Sequence, residues 1–417
     1  MTWAAEGTIL AKALDRTRWA MVADGLAVAL AISLPWSTSA TGILAALLLL
    51  ALIPTLDIAT LRRVLLTPAG GLPVLFWVLG FVGMAWADAP MNERIDGLSS
   101  FHKLLFIPLL LIQFERSEHG RWVLMGFLAS CTVLLVLSWI LMAFPKLNWR
   151  EGNLPGIPAK NYSTQAEFFT INTFIVAAFA LCAWRQARRW IAVALAALAL
   201  GFLANVLYVA TSRTALVSVA VLVVVFSLRW LSWKGICGLL VAAMVLGAIA
   251  WTTSPYLRHR ISTFAVEIDN YRTKNTQSSA GERLEFWKKS LAFMTEAQVL
   301  GHGTGSIPGL FRRAVVGDTG ASSVPSTNPH NQTFAVGIQL GIAGIAALFA
   351  MWIAHLLLFR GGGLTAWIGL VVVTSNIVGS LFNSSLFDFT HGWIYVAAVG
   401  MVGGAVLRNE RAATASR

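Results

Sequence analysis

Charged side chains are scarce in this chain of 417 residues. Asp, Glu, Lys and Arg together make up 12% of it, about half of the roughly 25% found in soluble globular domains. Hydrophobic residues make up 57%, and the mean hydropathy is +0.70. So few polar groups cannot cover the surface of a soluble fold of this length, and long apolar runs recur throughout. The composition therefore predicts an all-α polytopic membrane protein.

Patterns typical of disulfides and metal sites are also absent. The three cysteines, Cys131, Cys182 and Cys237, each lie inside an apolar run, which argues against a disulfide framework. No cluster of His, Cys or acidic residues has metal-ligand spacing. Glu267 and Asp269 are two positions apart on a predicted helix, so their side chains point about 200° apart. We therefore expect chemistry that needs neither a metal nor another cofactor.

Twelve apolar runs approach the length of about 20 residues that a transmembrane helix needs. They lie at 19–34, 40–56, 70–87, 98–114, 122–144, 165–184, 190–208, 213–228, 235–252, 330–359, 364–386 and 389–407. The predicted organisation is one integral membrane domain with about twelve transmembrane helices. Helices 1–9 occupy residues 1–252, a loop subdomain occupies 253–329, and helices 10–12 with a short tail occupy 330–417.

The net charge of +12 follows the ends of these runs rather than marking a nucleic-acid site. With the N-terminus inside, the short inner segments carry 16 of the 31 Lys and Arg residues and the short outer segments carry 6. The other 9 lie in the long loop, which the positive-inside rule exempts. The asymmetry predicts that both termini are cytoplasmic and that the 253–329 loop lies outside.

The long loop alone has the composition of a soluble subdomain, and it is expected to contain two or more amphipathic helices. Apolar residues recur every three or four positions in its first part: Leu257, Ile261, Phe264, Ile268 and Tyr271. A second helix is predicted to begin at Ser279, which forms a capping-box pattern with Glu282, and to end before Gly301, Gly303 and Gly305. Residues 316–329 should be an irregular, mobile strap.

Five polar clusters fall where the even-numbered helices begin, and all five therefore lie on the outer face. They are at 101–103, 160–162, 211–214, 328–331 and 388–391. Helix starts offer free N–H groups and the positive end of the helix dipole, which favour anions. Together with the Lys and Arg of the loop, they predict a basic cavity for an amphiphile with an anionic head group.

Ordinary structural roles compete with a functional one at each position. Arg213 is also interpreted as a snorkelling interface residue, and Arg283 as a cation–π partner of Trp287 or an ion-pair partner of Glu282. As a lone histidine, His330 would usually be a helix-start or interface residue. Asp388 is also explained as a helix N-cap.

The order and spacing of several motifs in residues 208–350 resemble the O-antigen ligase and O-antigen polymerase superfamily of bacterial inner-membrane glycan transferases. The motifs are an Arg-x-x-x-Trp helix (Arg283 to Trp287), a Gly-x-Gly turn (Gly301 to Gly305), a His-Asn pair at a helix start (His330 and Asn331), a later Gly pair (Gly341 and Gly344), and the step Ser212-Arg213-Thr214.

This resemblance implies transfer of a glycan from undecaprenyl pyrophosphate to an acceptor hydroxyl at the periplasmic face. In the ligase branch the acceptor is a sugar of the lipid A core. The resemblance assigns catalysis to His330 and pyrophosphate binding to Arg213 and Arg283. Possible supporting residues are Asp388, Asn331, Lys103 and Lys160.

The chemistry of such a transfer agrees with these residue types. A departing pyrophosphate needs stabilisation of its charge, and Arg offers a permanently charged, bidentate donor. The acceptor hydroxyl needs a base, which neutral His supplies near pH 7. A single displacement would invert the anomeric configuration.

Two alternative functions remain open. An O-antigen polymerase or a protein O-oligosaccharyltransferase of the same superfamily would use the same donor with another acceptor. The short tail after the last predicted span disfavours the protein-glycosylating branch. A twelve-span secondary transporter would place charges at mid-membrane and show repeated halves, neither of which is evident.

Overall fold

The computed structural model describes residues 15–149 and 154–415, and within these residues all regular secondary structure is helical. Lys12, Arg150 and Arg417, which contribute to the predicted charge asymmetry, lie outside the described residues. The first eleven α-helices are α1 (Arg16–Ser33), α2 (Thr38–Leu52), α3 (Ile58–Leu65), α4 (Pro68–Gly83), α5 (Met91–His102), α6 (Phe106–Arg116), α7 (Gly120–Ala143), α8 (Tyr162–Arg185), α9 (Arg189–Tyr208), α10 (Arg213–Trp230) and α11 (Trp233–Thr253).

Three further helices, α12 (Pro255–Lys274), α13 (Ser279–Glu296) and α14 (Ile307–Ala314), form the long loop. The chain continues with α15 (Gln332–Leu358), α16 (Gly363–Ser380) and α17 (Phe389–Ala397). A π-helical turn at Ala398–Val402 joins α17 to α18 (Gly403–Ala415). The prediction of an all-helical polytopic membrane protein is confirmed.

Ten helical segments among the described residues are long and apolar enough to cross a membrane. The count is eleven if α3 and α4, which meet at a bend of 85°, form one broken span. Every predicted apolar run overlaps at least one helix, but α1 carries Arg16, Arg18 and Asp24. The predicted total of about twelve spans is therefore not confirmed.

The predicted run 364–386 extends past its helix, because α16 ends at Ser380 and residues 381–388 form a loop. Although this loop contains several apolar residues, its backbone is held by polar side chains. The Gln332 side-chain oxygen accepts hydrogen bonds from the N–H groups of Leu386 and Phe387, at 3.0 and 3.2 Å. Apolar composition alone did not predict this break.

Both predicted amphipathic helices of the long loop are present as α12 and α13. The N-cap of α13 is Ser278 rather than Ser279, because the Ser278 hydroxyl accepts the N–H of Gly281 at 3.1 Å. The capping prediction was therefore wrong by one residue. Aromatic and aliphatic side chains of α13 and α14 pack on the start of α15, and this small core includes Phe286, Phe311 and Ile338.

The Gly-x-Gly segment anchors the loop to the membrane-spanning part. Gly301 has a φ of +68°, and a Cβ there would lie 2.5 Å from the Leu340 nitrogen. The N–H groups of His302 and Gly303 donate to carbonyls of α15 at 2.8 and 2.9 Å. Gly341, with φ of +59° and ψ of −154°, interrupts α15 beside this contact. Close backbone approach thus fixes the loop against α15.

The 316–329 strap is irregular, as predicted, apart from a 3-10 turn at Gly320–Ser323. It is anchored to the loop helices at several points. Ala321 N–H donates to the Asn275 carbonyl at 2.8 Å, and Lys289 donates to the Ser322 carbonyl and to Asp318. Its predicted mobility stays a prediction.

Candidate active site

A cavity of about 330 Å³ lies where α8, α10, α15 and α17 begin, beneath α12 and α13 and beside the 381–388 loop. Four of the five predicted polar clusters contribute to its surroundings. Its lining includes Tyr162, Glu167, Arg213, Arg260, Arg283, His330, Asn383 and His391. The structure therefore brings the three principal predicted site residues, Arg213, Arg283 and His330, to one cavity.

His330 is held in an unusual backbone conformation. Its φ is +53°, a left-handed value that costs a residue with a Cβ roughly 1–3 kcal/mol and tends to occur at functional sites. Asn328 stabilises this conformation, because its side-chain oxygen accepts the His330 N–H at 2.8 Å. The His330 ring stacks on Phe286 with centroids 6.0 Å apart. These contacts thus fix both the backbone and the imidazole ring of His330.

A chain of hydrogen bonds assigns the tautomer of His330. The Asn328 oxygen accepts a backbone N–H, so its amide nitrogen faces Asn383 and donates to that side-chain oxygen at 3.3 Å. The same Asn383 oxygen lies 3.0 Å from His330 Nδ1. Because this oxygen can only accept, Nδ1 carries the hydrogen and Nε2 keeps its lone pair.

The charge of His330 is set by its surroundings. Burial, together with the positive charge of Arg283, lowers the pKa of His330 below its usual value, whereas the hydrogen bond to Asn383 acts in the opposite direction. The imidazole is therefore neutral at neutral pH. A neutral ring with an available Nε2 lone pair has the properties of a general base.

The arginines of the cavity differ in their partners. Arg213 forms a bidentate ion pair with Glu267, at 2.8 and 3.0 Å. Arg260, which sequence analysis did not single out, lies over the rings of Tyr162 and Tyr256, at 4.9 and 5.5 Å. Glu267 thus offsets much of the Arg213 charge, and its hydrogen bonds with Arg213 lower the pKa of Glu267.

Arg283 is the least compensated cation of the cavity. Within residues 15–149 and 154–415 its half-buried guanidinium makes no hydrogen bond, ion pair or cation–π contact. The alternative interpretation of Arg283 as a partner of Trp287 or Glu282 therefore does not hold. Burial lowers the pKa of Arg283 without neutralising so strong a base. Its charge is available to an anion.

A second imidazole, missed by sequence analysis, lies between two carboxylates. His391 Nε2 is 2.9 Å from Glu167 and Nδ1 is 2.8 Å from Asp388. Asp388 also caps α17 by accepting the His391 N–H, as its structural interpretation predicted. His391 belonged to a predicted polar cluster, but Glu167 lies within an apolar run and gave no signal. Burial opposes the ionisation of Asp388, yet its contacts with His391 keep the pKa of Asp388 below its usual value.

Lys103 fixes the backbone of the 381–388 loop rather than lining the cavity. Its ammonium donates to the carbonyls of Leu386, Phe387 and Asp388 at 3.2, 2.9 and 2.7 Å. Three carbonyls satisfy all three N–H donors. Lys103 therefore holds the loop that presents Asn383 to His330.

Lys160 and Asn331 also act on the protein itself. Lys160 donates to the Thr390 hydroxyl at 2.7 Å, and burial lowers the pKa of Lys160 to about 8, although Asp388 opposes this shift. The Asn331 side chain caps α15 and donates to the Leu381 carbonyl at 3.0 Å. Neither residue lines the cavity.

An apolar pocket of about 540 Å³ adjoins the polar cavity. Arg213, Arg260 and Arg283 line both spaces. The remaining walls come mainly from α10, α12 and α13, with side chains such as Val217, Phe264 and Trp287. An apolar chain and a charged head group can therefore bind side by side, with the arginines at the junction.

The carboxylates and histidines of the site do not form a metal centre. Across the part of the chain that the structure describes, no group of three or more His, Cys, Asp or Glu side chains is arranged to hold a metal ion. Positive charge in the cavity comes from arginine side chains.

Fold and site together define a polytopic helical membrane protein in which an apolar pocket opens into a cationic cavity. Residues 198–349 match the sequence model of the O-antigen ligase family. The match begins in α9, ends in α15 and includes Arg213, Arg283 and His330. It confirms the resemblance found in the sequence: this region belongs to the O-antigen ligase superfamily, whose members are glycan transferases of the ligase and polymerase type. A comparison with curated proteins finds no match.

Proposed function

We propose that this chain is an O-antigen ligase. It transfers an O-antigen glycan from undecaprenyl pyrophosphate to a hydroxyl of a lipid A core sugar at the periplasmic face of the bacterial inner membrane. The reaction is a metal-independent single displacement with inversion. The observation that carries the proposal is the junction of an apolar pocket with a cavity that holds an uncompensated arginine and a neutral, positioned histidine.

The junction supports a lipid pyrophosphate as the donor. The polyprenyl chain would occupy the apolar pocket, and the pyrophosphate would bind where Arg213, Arg260 and Arg283 line both spaces. Arg283 would contribute most, because no carboxylate of the described residues forms an ion pair with it. Such charge–charge hydrogen bonds strengthen as negative charge develops on the leaving pyrophosphate.

The neutral ring of His330 supports a reaction in which the acceptor hydroxyl displaces the pyrophosphate. His330 Nε2 would accept the proton of the acceptor hydroxyl as its oxygen attacks the anomeric carbon. The C–O bond to pyrophosphate breaks in the same step, and the leaving group departs as an anion that needs no proton from the protein. Nδ1–H, bound to Asn383, keeps the ring in the required tautomer.

Polymerases and protein O-oligosaccharyltransferases of the superfamily share this donor, so the acceptor decides between them and a ligase. A secondary transporter would release its ligand unchanged. Purified protein in proteoliposomes, given lipid-linked glycan and lipid A core as the only acceptor, should form ligated product, and should do so in excess EDTA. Product only when a second lipid-linked glycan is added would identify a polymerase.

The periplasmic position of the site is proposed from the Lys and Arg asymmetry. Single cysteines at Lys274 in α12 and Thr414 in α18, in a chain without its native cysteines, can be probed on spheroplasts with an impermeant thiol reagent. We expect labelling at 274 and not at 414. The reverse pattern would place the cavity on the wrong side for both substrates.

A further inference from the structure

Glu167, which lines the cavity, has one carboxylate oxygen without a partner among the described residues. Glu167 lines the cavity on α8, and its side chain is 13% exposed. Its Oε2 lies 2.9 Å from His391, whereas its Oε1 is buried without a hydrogen-bond partner among the described residues. Ser385, Asn383 and His330 line the same space.

Glu167 cannot easily turn to satisfy this oxygen. Its Oε2 lies 2.9 Å from His391 Nε2, and Asp388 lies 2.8 Å from Nδ1 on the other side of the ring. Turning the carboxylate to pair Oε1 would break the contact between Oε2 and His391.

An unpaired buried acceptor destabilises the fold, and more so when it is charged. The matching ligand group must be a hydrogen-bond donor. A pyrophosphate has only acceptor oxygens when ionised, and a carboxylate would repel it. The hydroxyl groups of a saccharide are donors and carry no charge. The arginines thus have the chemistry to bind phosphates, and Glu167 has the chemistry to bind a sugar hydroxyl.

We propose that Glu167 is a substrate-positioning residue that binds a sugar hydroxyl beside the reacting centre, with His391 and Asp388 fixing its orientation. The inference rests on the proposed glycan transfer and adds a saccharide subsite to it. The hydroxyl belongs either to the glycan sugar next to the pyrophosphate or to the acceptor sugar. In both cases the contact orients the sugar relative to His330.

The test is initial-rate kinetics of Glu167→Gln, with lipid-linked glycan and lipid A core varied separately. The amide would keep its oxygen toward His391 and present N–H₂ to the sugar, so the bond to a carboxylate oxygen is lost. We expect KM for one substrate to rise about 10- to 100-fold, as loss of such a bond implies, with a smaller change in kcat. Glu285→Gln is the matched control, because Glu285 is also buried but lies outside the cavity.

Binding measurements separate the two possible sources of the hydroxyl. If Glu167 holds the donor sugar, the variant binds lipid-linked glycan more weakly but binds undecaprenyl pyrophosphate without glycan normally. If it holds the acceptor sugar, both donor ligands bind normally and KM for lipid A core rises. Either pattern supports the proposal.

Several results would overturn it. Unchanged KM for both substrates would assign Glu167 a purely structural ion pair, and a loss confined to kcat would make it an acid–base group. If Glu167→Gln does not fold, Glu167→Asp keeps the charge but withdraws it by about 1.5 Å, and should raise the same KM. Failure of both variants to fold would also identify a structural role. Absence of transfer by the wild-type protein is a separate result, and it rejects the proposed function itself.

Discussion

Charged side chains at the two ends of the helical bundle differ in whether their polar atoms have hydrogen-bond or ion-pair partners. Away from the cavity, both oxygens of Glu115 are bound by Arg63 and Arg411, at 2.6 to 3.1 Å. Asp24 accepts from Gln113, Ser117 and His119 at 2.7 to 2.9 Å. At the cavity, among the described residues, Arg283 has no hydrogen-bond or ion-pair partner and one oxygen of Glu167 is unpaired.

This difference separates structural from functional polarity. Buried polar groups that lack partners destabilise a fold, so an unpaired charged group that lines a cavity is a candidate for contact with a ligand. The strained backbone of His330 belongs to the same end of the molecule. Substitution of a charged residue whose partners are all within the protein should therefore lower stability. Substitution of an unpaired residue at the cavity should instead affect substrate binding and turnover.

The largest effect is expected at His330. His330→Ala removes the proposed base, and loss of a general base lowers turnover by about 10²–10⁴-fold. Alanine keeps the Cβ and therefore the left-handed strain, so the melting temperature should fall only by the small amount that the lost contacts with Phe286 and Asn383 contribute. Turnover, donor binding and thermal melting in detergent check this. A variant that melts early or loses donor binding would show that the ring has mainly a structural role.

The two arginines should differ because only one is paired. Arg283→Ala should lower turnover about 10- to 100-fold, as expected for a lost hydrogen bond to a charged group, without lowering stability. Arg283→Lys should recover little, since the bidentate fork is lost. Arg213→Ala should lower the melting temperature as well, because it leaves Glu267 uncompensated.

The double variant Arg213→Ala with Glu267→Ala is the control for that comparison. It should recover stability but not turnover. Equal losses of stability for Arg213→Ala and Arg283→Ala would remove the distinction between the paired and the unpaired cation.

A smaller effect is expected in the pH dependence. The base must be neutral, so turnover falls as the pH drops through the pKa of His330, which burial and Arg283 hold below its usual value. Wild-type turnover should therefore persist below the ordinary histidine pKa of about 6.5. Arg283→Gln removes the positive neighbour and should move the acid limb to higher pH at saturating donor. The exposed Arg258→Gln should leave the limb in place, and an unmoved limb in Arg283→Gln would contradict the assigned base.

The smallest effect on turnover is expected at Glu115, whose two carboxylate oxygens are both bound by arginines. Glu115→Gln should lower the melting temperature and destabilise the fold by about 1 kcal/mol, because Arg63 and Arg411 are partly exposed and solvent screens their charges. Turnover should stay within about twofold of wild type. A large loss of turnover without a change in melting would show that this end also takes part in function.

Sequence patterns predicted the helices well because hydrophobic periodicity and length depend on local residues. The predicted order of the helices also placed Arg213, Arg283 and His330 on the same predicted face of the membrane. They could not predict that Glu267 pairs with Arg213, 54 positions away, or that Lys103 binds carbonyls of a distant loop. Glu167 and Asn383 were missed because an apolar run does not indicate which of its few polar side chains faces a cavity.

The central claim is that His330 removes the proton from the acceptor hydroxyl, and His330→Gln tests it most directly. Glutamine can donate a hydrogen bond to pyrophosphate but cannot serve as a base at neutral pH. Single-turnover transfer should be measured with both substrates saturating and donor binding measured in parallel. We predict normal donor binding with transfer about 10²–10⁴-fold slower than wild type. Transfer faster than about a tenth of the wild-type rate, far above that range, would contradict the account and assign His330 to donor binding.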